Sequence, residues 1–456
     1  MLRSFGQAFA SLSRRIVPDP FVLAIFLTFF TFLLCVILTS NGPIDVLVFW
    51  GKGFWSLIGF AMQMCLILVT GHAVATSPVV ARAITRCAAY PRTSAQAAGL
   101  TATVAIVASL GHWGLGLIIG ALFARAVGEQ AAAAGRKIDY PLVGAAGYSG
   151  LLVWHGGFSG TAPIMMTQLG NVTDMLGPAL ASEVGTLSLA VTIGSAMNLT
   201  VSALLVVFVP LLFALMGPRE GDRGITASAG PPRPPGIDGE RGEPSESPGT
   251  FAGRLEDSRI LAWAIGAMGL AYLAIYVSRN GLYNLDPDPI NMFFLSIGII
   301  LHQTPGRYVR AVGQGVRGCA GIILQFPFYF GILGMMRGSG LAEQIATAIS
   351  HRASVATYPV LTFLSAGLVN LFVPSGGGQW TIQGPIVLQS AMHLQIAPGK
   401  AVMAFAYGDQ WTNMIQPFWA LALLGITGLR AKDIIGYTTA VMVLVTPIFV
   451  LPLLFF

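Results

Sequence analysis

Charge is what this chain is short of. Of 456 residues, 54% are hydrophobic and only 10% are charged, where a soluble domain carries about 25%. That deficit excludes an ordinary soluble protein and places most of the chain in lipid. Cysteine is scarce as well. Cys35, Cys65, Cys87 and Cys319 have no metal-like spacing, so free thiols are expected. No H-E-x-x-H run occurs and no nucleophile–base pair is implied, which argues against an intramembrane enzyme using His112, His155 and Asp409. No stretch reads as a cleaved signal peptide. The first apolar run, Phe21 to Thr39, is long enough to span and lacks a small-residue cleavage site. The net charge of +6 is dispersed over short loops, and that dispersal argues against nucleic acid as a partner.

What is present is a set of apolar runs. Membrane-length candidates are 21–39, 54–76, 140–168, 187–216, 260–278, 290–303, 318–336, 400–427 and 434–456. Two further stretches, about 95–123 and 354–397, are interrupted by glycine at their middles. Treating each as a re-entrant hairpin, with the N-terminus inside, leaves only Lys52, Arg279, Arg337, Arg352 and Lys400 of the 25 Lys and Arg outside. A bias of that size fits the positive-inside rule. It places the N-terminus and residues 217–258 in the cytoplasm and the C-terminus in the periplasm. The segment 217–258 is rich in Pro, Gly and charge and reads as a disordered linker; a regulatory or docking tail is the other reading. The apolar spacing of Leu341, Ile345, Ala348 and Ile349 suits a helix along the membrane interface.

The chain also repeats itself. Pro18-Asp19-Pro20 returns as Pro287-Asp288-Pro289, and Gly51, Gly53 and Gln63 return as Gly313, Gly315 and Gln325. SLGHWGLG (109–116) is answered by PSGGGQW (374–380), and GYSGLLVWHGG (147–157) by YGDQWTNMIQP (407–417). With the loop assignment above, one hairpin enters from the inside and the other from the outside, so the two halves are inverted. The expected fold is an all-α polytopic membrane protein: a first repeat over 1–216, the linker 217–258, one linking span over 259–279 and a second repeat over 280–456. Broken segments at matching places of inverted halves mark the binding site of a secondary transporter. A channel fits that pattern less well.

Non-helical backbone at membrane depth survives only inside protein or beside a wet cavity. Ser109, Gly111, His112 and Trp113 stand at one hairpin tip, and Ser375, Gly376, Gly377, Gly378, Gln379 and Trp380 at the other. Amides at such helix ends attract anions, although glycines there could also serve close helix packing. His155, Ser159, Thr161, Thr412 and Asn413 add polar groups from the second pair of breaks. These residues form the candidate substrate set. Asp409, with Tyr407 and Ser149, forms the candidate ion-coupling set. Asp409 could ligate Na⁺, carry a proton or cap a half-helix. His112 and His155 could bind a carboxylate, relay protons or simply make a satisfied contact. Trp113, Trp154, Trp380 and Trp411 could wall a small aliphatic tail or pack the core. No Arg or Lys lies at a break, which argues weakly against a dicarboxylate and for a small monocarboxylate.

At these positions the chain resembles the bacterial short-chain fatty acid transporter family. The resemblance rests on VPDPFV (17–22), GHWGLG (111–116), WHGGFSGTAP (154–163), VPSGGGQW (373–380) with QGP (383–385), and YGDQWTN (407–413), and it covers nearly the whole chain. It implies ion-coupled uptake of monocarboxylates such as butyrate or acetoacetate across the bacterial inner membrane. The wider ion transporter superfamily implies two hairpins, an elevator-like moving domain and a homodimer. No cofactor is implied beyond a co-transported Na⁺ or H⁺. The linker 217–258 is longer and richer in proline than the family leads one to expect.

Overall fold

Most of the apolar runs become helices, but 140–168 breaks after Tyr148, 187–216 is α-helical only from Ala196 and 400–427 splits after Thr412. Asp19 caps the second helix, its Oδ1 accepting from Phe21 N at 2.9 Å, and Pro20 opens the first turn. The computed structural model describes residues 2–56, 58–218, 250–281, 287–350 and 353–456. Most of the expected linker 217–258 lies outside these residues.

The first half runs α1 (Leu2–Ile16), α2 (Pro20–Leu38), α3 (Pro43–Ser56), α4 (Ile58–Thr76), α5 (Pro78–Ala88), α6 (Ser94–Gly111), α7 (Trp113–Ala133), α8 (Tyr140–Tyr148), α9 (Thr161–Met165), α10 (Leu169–Val184) and α11 (Ala196–Met216). Two connecting helices follow, α12 (Phe251–Glu256) and α13 (Arg259–Asn280). The second half runs α14 (Pro287–His302), α15 (Pro305–Val316), α16 (Ala320–Gly338), α17 (Leu341–Ser350), α18 (Tyr358–Asn370), α19 (Gly376–His393), α20 (Pro398–Thr412), α21 (Pro417–Thr427) and α22 (Ala431–Phe455). All regular structure among the described residues is helical. Eight of the helices are long and apolar enough to cross a membrane, α3 and α4 counting together as one. The chain is an all-α polytopic membrane protein.

Both glycine-interrupted stretches fold into antiparallel hairpins. In the first, α6 and α7 meet at His112, and the arms reach from Ser94 to Ala133 rather than from 95 to 123. Helix α7 runs on past the charges at Arg125 and Glu129, which pair one turn apart at 2.8 Å. In the second, α18 has 13 residues, about 20 Å of helix against a hydrocarbon core of about 30 Å. Its arms are tied by Tyr358 Oη to Val387 O at 2.6 Å and by Gln379 Nε2 to Ala366 O at 2.7 Å. The run 339–350 does form a helix, α17, but Leu341 and Ala342 are buried and the helix packs on α18 and α19.

Between the halves, α3 packs along α16 and α15 along α4, while α2 lies on α16 and α14 on α4. At the α3–α16 crossing a Cβ on Gly53 would lie 2.7 Å from Gly334 Cα. Only glycine permits that approach, and in lipid such van der Waals packing, not the hydrophobic effect, holds helices together. The apolar core of the described residues falls into four clusters, two of which hold residues of the broken segments. The largest joins α2, α4 and α16 to α6, α8 and α22, and a smaller one, with Trp380, Phe405 and Tyr358, lies among α9, α10, α18, α19 and α20.

Candidate functional site

Backbone freed from a helix in lipid must find a partner elsewhere. Helix α8 stops at Tyr148 and gives way to two short 3-10 turns, Ser149–Leu152 and Trp154–Gly156. Helix α20 stops at Thr412, followed by the 3-10 turn Asn413–Ile415 and then Pro417, which opens α21. The two breaks satisfy each other. Gln410 Oε1 accepts from His155 N at 3.0 Å and Gly156 N at 3.2 Å. The single hydrogen of Tyr148 Oη lies between two acceptors, Asn413 O at 2.8 Å and Gln416 O at 2.9 Å. Asn198, on α11, donates to Gly156 O at 2.8 Å and accepts from Tyr407 Oη at 3.1 Å.

At the centre stand His155 and Asp409, both buried. His155 Nε2 accepts from Ala162 N at 3.0 Å. The proton of the neutral ring therefore sits on Nδ1, which faces Asp409 Oδ2 at 3.5 Å. Neither Nδ1 nor Oδ2 has a shorter partner. The Trp154 ring stacks on His155 with centroids 4.3 Å apart, and Phe405 stands edge-on to it at 6.0 Å.

The second hairpin tip closes on this pair. A Cβ on Gly376 would lie 2.7 Å from Trp154 Cη2, 3.1 Å from His155 Cε1 and 3.3 Å from Asp409 Oδ2. A Cβ on Gly377 would meet Thr161 Cγ2 at 3.1 Å. Ser375 caps α19 by accepting from Gly378 N at 3.2 Å. The amides of Gly376 and Gly377 make no hydrogen bond to the described residues. Two free N–H groups thus stand at the start of an 18-residue helix, the kind of helix end that attracts anions.

The sequence-derived set therefore comes together in part. Gly376, Gly377, His155, Thr161 and Asp409 share one place, with Ser375 and Gly378 forming the cap beneath it. The first tip reaches the same broken segment from its other end: Trp113 N donates to Ser159 Oγ at 2.9 Å and Phe158 N to Leu110 O at 2.9 Å. There His112 Nδ1 caps α7 through Gly114 N at 3.1 Å, and Gly111 is exposed. Ser109 is buried without a partner for its hydroxyl. The remaining residues turn elsewhere. Ser149 Oγ bonds Ala146 O of its own helix, and Tyr407 Oη reaches Asn198, so neither approaches the Asp409 carboxylate through its hydroxyl. Gln379 ties the two hairpin arms, Trp380 packs on Phe405 at 4.7 Å, and Trp113 packs edge-on against Trp419 at 5.2 Å. Thr412 and Asn413 meet Asn370, on the far side of the Asp409 backbone.

The full chain, residues 1–456, matches the family model for short chain fatty acid transporters. The chain belongs to the short-chain fatty acid transporter family. Two relatives bear the provisional name short-chain fatty acid transporter. One, from Haemophilus influenzae, is 38% identical over 456 residues and covers 100% of both chains. The other, from Escherichia coli K12, is 41% identical over 443 residues and covers 97% of each. Among solved structures, the Alcanivorax borkumensis YdaH transporter aligns with a TM-score of 0.39 at 16% identity, covering 96% of each chain. Neisseria gonorrhoeae MtrF, described among antimetabolite efflux pumps, aligns at 0.37 and 13%, covering 96% of this chain and 95% of its own. At such scores nothing is taken from them.

In this family member, Gln410, Asn198 and Asn370 hold the breaks together although none was a candidate substrate or ion contact. Their one signal in the sequence is an amide side chain inside an apolar run. The Tyr148 hydroxyl tests the cross-brace. Tyr148→Phe removes this donor from the Gln416 carbonyl, while Asn413 O keeps Gln416 N at 3.1 Å, a loss of about 1–3 kcal/mol. A melting point lower by about 2–6 °C in detergent is the expected outcome, and an unchanged melting point would show that the brace carries no load.

Proposed function

We propose that the protein imports short-chain monocarboxylates of the butyrate and acetoacetate class across a bacterial inner membrane, by symport with a cation. The observation that carries this reading is the pair of free amides at Gly376 and Gly377, set against the buried His155–Asp409 pair. The two amides offer donors to one carboxylate. Trp154 and Met165 beside them offer apolar surface to a short tail. Asp409 supplies the reason for coupling. Two carboxylates about 5 Å apart repel by about 3 kcal/mol at an effective dielectric near 20. An anion enters beside Asp409 at low cost only when a cation or proton comes with it.

The exchanged packing of α3 on α16 with α15 on α4, and of α2 on α16 with α14 on α4, supports mirror-related halves. Alternating access about the site between the halves is the matching mechanism. Movement of the second hairpin with α20 against α2, α3, α4 and α16, and a homodimer, complete the reading, with the N-terminus cytoplasmic. A dicarboxylate is the weaker substrate. The atoms nearest a Cβ on Gly376 or Gly377 belong to no Arg or Lys.

The test is uptake of labelled butyrate into proteoliposomes under imposed Na⁺ or H⁺ gradients. Saturable accumulation driven by one of them, inhibited by unlabelled monocarboxylates and not by succinate, is expected. Succinate competing as well as butyrate would move the substrate to the dicarboxylate class. Absence of any driven carboxylate uptake would end the reading.

A further inference from the structure

One buried amide is in the wrong place for an amide. Asn370 is the last residue of α18, at the tip of the second hairpin, and is fully buried. Its Nδ2 faces three oxygens at once: Asp409 O at 2.9 Å, Thr412 Oγ1 at 3.0 Å and Asn413 Oδ1 at 2.9 Å. An amide nitrogen has two hydrogens, so it cannot serve all three. The Thr412 hydroxyl cannot reverse the bond to help, because its hydrogen goes to Gly367 O at 2.9 Å. Meanwhile Asn370 Oδ1 and Asn413 Nδ2 are both buried without a partner. Buried polar groups are normally satisfied, and each exception calls for an explanation such as a missing ion.

We propose that this cluster is a Na⁺ site, formed by Asn370 Oδ1, Asp409 O, Thr412 Oγ1 and Asn413 Oδ1. A half-turn of the Asn370 amide exchanges its N and O and places a fourth oxygen among the other three. The cation then takes the role that the two amide hydrogens play. All four ligands are neutral oxygens, which suits a hard monovalent ion; Ca²⁺ sites draw on carboxylates. The surroundings favour positive charge. The site lies at the C-terminal end of α18, the negative end of its dipole, while the free amides of Gly376 and Gly377 open α19 across the tip. One hairpin thus offers a cation seat on one arm and an anion seat on the other. Asp409 joins the two, lending its carbonyl to the first and its carboxylate to the second.

The Na⁺ site stands on its own geometry; its role as the coupling ion rests on the transport reading given above. The first measurement is thermal unfolding of the purified full-length protein in detergent, with NaCl, KCl or choline chloride at constant ionic strength and no carboxylate present. Saturable stabilisation by NaCl alone is expected, about 3 °C at a saturating concentration. Asn370→Ala and Thr412→Val are expected to lose that shift, and Thr412→Ser, which keeps the oxygen, to retain it. Binding of ²²Na⁺ to the same four proteins gives a second readout that does not depend on their melting points. Equal shifts with all three salts, or full ²²Na⁺ binding to both Asn370→Ala and Thr412→Val, would overturn the proposal. Butyrate uptake driven by a proton gradient, with no ²²Na⁺ bound, would overturn the site and leave the transport reading standing. Specific ²²Na⁺ binding without any carboxylate uptake would do the reverse.

Discussion

Gly376→Val is expected to abolish butyrate uptake, lowering the initial rate in proteoliposomes at least about 100-fold, while the protein still purifies as a monodisperse species. A Cβ there already falls inside the contact distance of the Trp154 ring, at 2.7 Å, and presses on His155 and Asp409. Branching adds two methyl groups where the substrate carboxylate would accept its hydrogen bonds. Overpacking of this kind costs about 1–3 kcal/mol of stability, which a large helical protein survives. The seat itself has no room left. Gly376→Ala is expected to fall between valine and wild type, since its single methyl can be met by a small rotation of the indole. Gly377→Ala should be milder again, because its nearest neighbour is a threonine methyl at 3.1 Å. The control is Gly313→Ala on α15, where a Cβ meets nothing within 4 Å. Normal uptake by Gly376→Val would show that the carboxylate binds elsewhere.

That ranking depends on contacts which the sequence only half disclosed. The breaks were legible because their causes are local: glycine and proline interrupt an apolar run, and lipid tolerates an interruption only inside protein. The helices bounded by them were legible for the same reason, and so was the membrane class. The partner of each broken helix was not. Gln410 meets the amides of His155 and Gly156 across more than 250 residues of chain, and no spacing rule connects them. Tyr407 and Ser149 looked like neighbours of Asp409 because they lie close in sequence or at a matching break. Helical geometry and a back-bonded hydroxyl turn both away. Asn370 carried no flag, as a neutral amide in an apolar helix looks like any other polar contact. Its role depends on counting hydrogens against acceptors, which takes coordinates. The amphipathic helix α1, with Gly6, Ala10 and Ser13 buried against α11 and α22, escaped because a search for long apolar runs passes over short mixed ones.

Asp409→Asn separates coupling from binding, and its expected outcome differs in kind from that of Gly376→Val. The substitution keeps the size of the side chain and leaves the main-chain oxygen facing Asn370 in place. It removes the charge and replaces one carboxylate oxygen with an amide NH₂, leaving the other oxygen to face His155 Nδ1. With that charge gone, the repulsion of about 3 kcal/mol between two carboxylates about 5 Å apart disappears, and the anion no longer needs a companion to enter. Gradient-driven accumulation of butyrate should fall at least about 100-fold. Exchange of external butyrate against butyrate loaded inside the vesicle should persist, because it requires binding and movement but no net coupling. Gly376→Val, by contrast, should lose both activities. His155→Ala is the poorer probe, since it strips the single N–H facing a buried carboxylate and costs about 3–5 kcal/mol through the unpaired charge. Loss of exchange together with accumulation in Asp409→Asn would place the carboxylate among the groups that shape the seat. Full accumulation would remove it from the mechanism and return the charge-balance argument to its start.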